Sequence, residues 1–334
     1  MLAHGRALVT GAAGFIGGHL AQRLLAEGWQ VRLLVKNNQP LPPALHQGCE
    51  VVTADLSVAA GVGEAVRGVD VIFHCAANVR TWDTWDAYQR DNVTGVAHLL
   101  DAIARENPRL PRLVHFSSVD VYGFPLQPCD EAARPDGGEF GYGRSKWQGE
   151  QLVAERCAEA SIPYTILRPA NVFGPGGQFV SRIGEALASG LMLTVDGGQV
   201  NAGMIYIDNL LDYVLWAAGA EQAVGRVYNV RDAYDLSWAE FVRALRRGIN
   251  GRGRVLDLPF GAAEFFARLC EAFYRIVLPR REPLLHRLLV RQFGRSCGHS
   301  AVRIRADSGL VGRIGFEEGM ERSARSFLAA RASR

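Results

Sequence analysis

Lysine is almost missing from this sequence. Of its 37 basic residues only Lys36 and Lys146 are lysines; the others are arginines. Such usage reflects genomic bias, yet it singles out two positions. Cysteine is sparse as well. The six (Cys49, Cys75, Cys129, Cys157, Cys270 and Cys297) are scattered and form no C-x-x-C pair. That predicts reduced thiols in a cytoplasmic protein, with neither a disulfide framework nor a metal site. No apolar run reaches the ~18 residues of a membrane span. A net charge of +3 over 334 residues is too small to imply nucleic acid as a partner. The opening Met1-Leu2-Ala3-His4-Gly5-Arg6 lacks the charged start, apolar stretch and cleavage site of a signal peptide.

What remains is the composition of a globular protein, 48% apolar and 21% charged. The length suits two domains, or one large α/β domain with an appendage. It is ample for a core without disulfides or metal. Charge is uneven: residues 251–334 hold 16 Arg against 8 Asp and Glu, so the excess of positive charge lies in the tail.

Up to about residue 170, strand-like and helix-like segments alternate. Arg6–Thr10, Val31–Val35, Cys49–Val52, Val69–His74, Leu113–Ser117 and Tyr164–Leu167 read as strands. Ile16, Leu20 and Leu24 recur every four residues along one helical face, and Gly28 suits its cap. Asn92–Arg105 and Tyr142–Ala160 read as further helices. The pattern predicts an α/β fold: a doubly wound, Rossmann-type parallel sheet binding its ligand at the strands' carboxyl ends. We expect residues 1–170 to form this domain, with strands near 204–208 and 227–230 returning to it. Residues 171–203 and 231–334 would make a smaller, mainly helical substrate-binding part.

Thr10-Gly11-Ala12-Ala13-Gly14-Phe15-Ile16-Gly17 joins the first strand to the first helix. Gly11 permits the sharp turn, Gly14 a close approach of pyrophosphate, and Gly17 tight helix–strand packing. The helix N-terminus then offers unpaired N–H groups to phosphates. A tight strand–helix turn alone also uses glycine; the flanking periodicity favours dinucleotide binding. An acidic residue ending the second strand would hold a ribose 2′-hydroxyl and select NAD. This chain has Lys36-Asn37-Asn38 there. NADP(H) is therefore the preferred expectation, with NAD(H) the alternative. Asp55-Leu56, after the third strand, suits the adenine edge, although a turn aspartate looks the same.

Tyr142 and Lys146 stand four apart, on one helical face. A close ammonium favours the phenolate and lowers a tyrosine pKa by ~1–3, which makes Tyr142 an acid or base usable near neutrality. Lys146 also suits a ribose. Ser117 and Ser118 end the fifth strand, where a hydroxyl orients a carbonyl oxygen or merely caps the strand. Asn92, at the start of its helix, anchors that helix or a water relay to Lys146.

These residues resemble the extended branch of the short-chain dehydrogenase/reductase superfamily. The likeness rests on the glycine loop, Asp55-Leu56, His74-Cys75-Ala76-Ala77, Asn92-Val93-Thr94-Gly95, Ser117–Gly123, Tyr142 with Lys146, and Arg168–Pro175. It implies Ser118, Tyr142 and Lys146 as catalytic residues, supported by Asn92. It implies that Ala76 and Ala77 back the cofactor and that Pro169 and Val172 line the nicotinamide. A homodimer is implied too. Sugar-nucleotide members carry an arginine before the late strand, where this chain reads Ala202-Gly203-Met204. Dehydratases carry an acidic pair after the catalytic hydroxyl, where Val119-Asp120 stands here. Both departures disfavour sugar chemistry. The tail is similar to that of the 3β-hydroxysteroid dehydrogenase-like group, which includes 2-alkyl-3-oxoalkanoate reductases.

A hydrophobic substrate is therefore expected, sterol-like or 3-oxoacyl-like, with Trp82, Trp85, Tyr88, Phe173 and Phe179 as candidate walls. A nucleotide-sugar epimerase or reductase is the runner-up, and a non-catalytic dinucleotide-binding regulator a third reading. Ala262–Leu278 reads as a helix whose charges (Glu264, Arg268, Glu271, Arg275) form one stripe on an otherwise apolar surface. That surface needs a cover: a substrate, a domain interface, or peripheral membrane contact through residues 262–295.

Overall fold

In the computed structural model, residues 5–37, 39–278 and 281–333 are described. Residues 1–4, Asn38 of the Lys36-Asn37-Asn38 stretch, Pro279, Arg280 and Arg334 lie outside them. The first part alternates β1 (Arg6–Thr10), α1 (Phe15–Ala26), β2 (Gln30–Val35), α2 (Pro43–Gly48), β3 (Glu50–Thr53), α3 (Val62–Val66) and β4 (Val71–His74). It continues through α4 (Trp85–Tyr88), α5 (Gly95–Glu106), β5 (Arg112–Phe116), α6 (Gly141–Glu159) and β6 (Tyr164–Pro169). Then come β7 (Asn171–Phe173), α7 (Gln178–Ser189), β8 (Leu191–Val195), β9 (Met204–Tyr206), α8 (Ile207–Gly219) and β10 (Arg226–Val230). The tail holds α9 (Trp238–Gly248), β11 (Arg254–Leu258), α10 (Phe260–Val277), α11 (Arg287–Gly294), α12 (Val302–Ser308) and α13 (Phe316–Ala332).

Seven parallel strands form the main sheet in the order β10-β6-β5-β4-β1-β2-β3. Successive residues of β1 serve opposite faces. Ala7 and Val9 join the core beneath α1 and α8, while Leu8 joins the cluster beneath α3, α5 and α6. Burial on both faces explains why these strands are continuous apolar runs. The order reverses between β1 and β4, and the crevice there opens at the carboxyl ends. Thr10 lies beside His74 in register, so the glycine loop and the segment after β4 share one edge.

One expected strand goes elsewhere. Residues 226–230 return to the sheet as β10, but residues 204–206 pair with β7 in a separate two-stranded ribbon. Asn171 accounts for the departure: its backbone N–H bonds Gly203 and its amide bonds the Ala202 carbonyl. A second ribbon, β8–β11, lies beside α10 and α11. Asn92 does not begin its helix. The helix starts at Trp85, and Asn92 sits in a π-helical turn spanning Gln89–Thr94.

Arg168 on β6 and Glu150 on α6 form a buried two-pronged ion pair, Nε–Oε1 2.8 Å and Nη2–Oε2 2.6 Å. Arg168 Nη1 also donates to the Tyr122 hydroxyl at 2.7 Å, and Tyr122 donates to Asn229 on β10. No helix among the described residues is long and apolar enough to cross a membrane. Glu150→Ala strands the Arg168 charge in the core. Stability measured by denaturant titration should fall by about 3–5 kcal/mol, whereas Glu155→Ala on the same helix should change it little.

Candidate active site

The glycine loop is shaped by contacts that exclude side chains. Gly11 has φ +70°, and a Cβ there would lie 2.8 Å from the Ala76 backbone. A Cβ on Gly17 would lie 2.4 Å from the Gly11 carbonyl oxygen. Thr10 Oγ1 stands 2.9 Å from His74 Nδ1 and accepts the Ala76 N–H at 3.1 Å, drawing Cys75–Ala77 against the loop. Gly14 caps the N-terminus of α1, whose first N–H groups lie beside the crevice. This backbone cradle fits a dinucleotide pyrophosphate.

A cavity of about 1080 Å³ begins there. At one end lie Gly14, Phe15, Ile16, Lys36, Asp55 and Leu56. Lys36 is not a free cation: its Nζ is 3.2 Å from Asp55 and 3.5 Å from Asp91. Burial raises the Asp55 pKa, but hydrogen bonds from Ser57 and the Lys36 ammonium outweigh it and leave the carboxyl below its ordinary value. The middle holds Ala76, Ala77, Ser118, Tyr142, Lys146, Pro169 and Val172.

Ser118 follows β5 and accepts the Asp120 N–H at 3.1 Å. Tyr142 lies in the first turn of α6 and hydrogen-bonds Ser118. Lys146, one turn further, is buried and donates to the Phe116 carbonyl. A Cβ on Gly143 would lie 2.3 Å from the Asp120 carbonyl oxygen, so only glycine lets α6 sit this close to the Ser118 turn. Asn92 reaches the site indirectly. It donates to Ser145 Oγ at 2.9 Å and to the Asn78 carbonyl at 3.0 Å, and accepts the Asn78 N–H at 2.6 Å. Ser145 in turn donates to the Tyr142 carbonyl. Asn92 thus ties the cavity wall to the helix that carries Tyr142.

The expected lowering of the Tyr142 pKa does not hold in this chain. Burial raises it above the ordinary tyrosine value, and the nearby Asp120 carboxylate adds to the rise. Lys146 does not offset this, because its head group is turned onto Phe116. Its own pKa is pushed down to about 8 by burial, against the pull of Glu150 and Cys75. Beside it, the rings of His74 and His115 stack 5.2 Å apart. Burial and then the Lys146 charge hold both below the ordinary histidine value, His74 at about 3. The ammonium therefore rests near two neutral rings.

Most of the expected aromatic wall is elsewhere. Phe179 lines the cavity. Phe173 is fully buried in the core between Tyr206 and Phe241, because its β7–β9 ribbon turns it away. Trp82 packs on His286 and under Arg275, and Trp85 lies beneath the Arg144 guanidinium at 4.4 Å. Tyr88 is buried, donating to the Arg80 carbonyl and abutting Gly141. None of these four is on the cavity wall. Met192 and Leu193 of β8 and Leu284, Leu288 and Phe293 around α11 line that end instead.

The NAD dependent epimerase/dehydratase family model matches residues 7–230. The 2-alkyl-3-oxoalkanoate reductase of Stenotrophomonas maltophilia (strain K279a) is 30% identical over 326 residues, covering 94% of this chain and 97% of that protein. The 4-hydroxy-2-methyl-3-oxo-4-farnesyl-3,4-dihydroquinoline-1-oxide ketoreductase of Stigmatella aurantiaca is 29% identical over 320 residues, with 95% of each chain covered. Among solved structures, MoeE5 in complex with UDP-glucuronic acid and NAD superposes with a TM-score of 0.78 at 23% identity, over 99% of this chain and 100% of that one. That likeness concerns the fold.

Asp120 supplies a pH test. Desolvation pushes its carboxyl up from 3.8 to about 6. The folded chain therefore retains a proton that the unfolded chain releases, and stability from this site is lost as pH rises through about 6. Asp120→Asn should raise the denaturation midpoint at about pH 7.5, and the gain should shrink toward about pH 5. An equal gain at both pH values would contradict the assignment.

Proposed function

We propose that this chain, which belongs to the NAD-dependent epimerase/dehydratase family within the extended short-chain dehydrogenases/reductases, reduces a ketone on a hydrophobic, 3-oxoacyl-like substrate. The observation that carries the reading is a single cavity running from the dinucleotide cradle past Ser118, Tyr142 and Lys146 into an apolar end. Two polar side chains near that end are engaged within the protein. Arg182 pairs with Glu282 at 3.1 Å, and Asn171 bonds the Ala202 carbonyl and Gln292. Neither is left to grip a sugar diphosphate. The similarity to reductases named for oxoalkanoate and farnesyl-bearing ketone substrates supports the same class.

The cradle would hold the pyrophosphate against Gly11, Gly14 and Gly17, and Lys146 the ribose. A bound nicotinamide supplies the hydride. Ser118 donates a hydrogen bond to the carbonyl oxygen and fixes its position. Hydride addition builds negative charge on that oxygen, and the Tyr142 phenol gives its proton to it. The raised Tyr142 pKa keeps the phenol protonated, which suits reduction. To stabilise the phenolate, the Lys146 ammonium would have to turn toward it from the Phe116 carbonyl on which it rests. NADPH is the preferred donor in this reading, because Lys36 rather than a carboxylate follows β2, and a 2′-phosphate would draw its ammonium from Asp55 and Asp91.

An epimerase acting on a nucleotide sugar is the second reading, favoured by the family model, whose description names epimerases. Ketoreductase assays with 2-alkyl-3-oxoacyl substrates, run beside UDP-glucose epimerase assays, separate the two. Tyr142→Phe should lower turnover by on the order of 10²–10⁴ and leave dinucleotide affinity nearly intact. Lys146→Met should damage both, and Ser118→Ala should reduce turnover less than the tyrosine change. Full ketone reduction by Tyr142→Phe would overturn the role given to the phenol.

Cofactor choice has its own test. Fluorescence titration should find NADPH bound more tightly than NADH, with Lys36→Asp reversing the order. Tighter NADH binding by the unaltered chain would refute the preference.

A further inference from the structure

Helix α10 is built inside out. The acidic half of its charged stripe faces the protein: Glu271 is buried against Arg287 Nε at 3.0 Å, and Glu264 pairs with Arg291 at 3.2 Å. Its outward face carries Phe265, Phe266, Leu269, Phe273 and Ile276, with Ile276 82% exposed and the others at least half exposed. Arg268 and Arg275 stay largely exposed at its edges, each reaching back to an acid that α11 also engages, Glu264 at 3.1 Å and Glu271 at 3.7 Å, so four guanidinium groups share two carboxylates. The acidic groups of the helix are thus turned in and neutralised, while exposed guanidinium groups fringe an apolar face. Beyond the helix, Leu284 is 86% exposed and also lines the cavity. The apolar surface of this segment therefore reaches the cavity mouth.

We propose that α10, together with Leu284, docks on an anionic lipid surface, with α10 in the headgroup plane and the cavity mouth toward the lipid. A helix of 18 residues with four charged side chains is poorly suited to spanning a bilayer. An apolar face with a basic fringe matches interfacial binding. Charge also argues against a second copy as the occupant. A two-fold contact through this face presents the same patch from both chains, so two arginine fringes would meet. An anionic surface complements the fringe. The docking claim does not depend on which substrate fills the cavity.

Co-sedimentation of the full chain with phosphatidylcholine vesicles, with and without phosphatidylglycerol, tests this. Binding should require the anionic lipid and weaken several-fold between about 0.1 and 0.5 M salt. The paired substitution Phe266→Glu and Ile276→Glu should lower binding at least about tenfold, and Arg268→Gln about fivefold. Leu126→Glu, at an exposed leucine outside this segment, should leave it unchanged. Retained dinucleotide binding by the paired variant checks its folding. Absence of binding to anionic vesicles, or equal binding by the parent and the paired variant, would overturn the proposal. A concentration-dependent dimer that the paired variant dissolves, without vesicle binding, would assign the face to a second copy and overturn it too.

Discussion

The buried pair between Arg168 and Glu150 is the constraint on which the site's geometry depends. Arg168 belongs to the strand beside β5, and Glu150 to the helix carrying Tyr142 and Lys146. The third prong of the guanidinium reaches Tyr122, which stands in the turn that follows Ser118. One planar group with fixed donor directions therefore sets the distance between strand, helix and turn. Desolvating two charges opposes folding, and the attraction between them repays it only when every prong is used. A frame of this kind contributes little net stability while it favours one arrangement over its near neighbours. In the proposed reaction two residues from different elements would share one reacting atom, and that needs such selectivity.

Close backbone approach does the same on a finer scale. Gly143 lets α6 touch the Asp120 carbonyl, and Gly17 lets α1 touch the Gly11 carbonyl. Asn92 then couples the wall at Asn78 to Ser145, and through it to the backbone of Tyr142. The π-helical turn around Asn92 places an extra residue in that helix where its amide must point inward. Ser118, Tyr142 and Lys146 are thus held in place by neighbouring backbone and by the Asn92 network.

The parallel sheet was legible because each signal in it is local. Arg6–Thr10 followed by Gly11, Gly14 and Gly17 reads as strand, turn and helix within a dozen residues. Tyr142 and Lys146 share a face by helical spacing alone. The distal wall was not legible, because Leu284–Phe293 reaches the cavity through packing on β8, about ninety residues earlier. The Trp82–Tyr88 loop misled for the opposite reason. Its place after β4 puts it beside the site, but its rings are taken by Arg144, Arg275 and Gly141. The Tyr142 pKa was misjudged on similar grounds. Helical spacing sets the distance between two side chains in sequence, but the Phe116 carbonyl decides where the ammonium turns.

Helix α10 marks the limit of periodicity as a guide. Spacing tells which residues share a face, and here it separated Glu264, Arg268, Glu271 and Arg275 from the apolar remainder. It does not tell which face turns inward. The usual rule, apolar side in, assumes that the partner surface is apolar. The partner here is α11, whose Arg287 and Arg291 point at α10 and draw Glu271 and Glu264 inward. Small residues, Ala263 and Ala267, fill the contact between them. Once those ion pairs form, the phenylalanines have no side left but the outer one. The same arginines that orient the helix therefore expose its apolar face, with Arg268 and Arg275 left largely exposed at its edges.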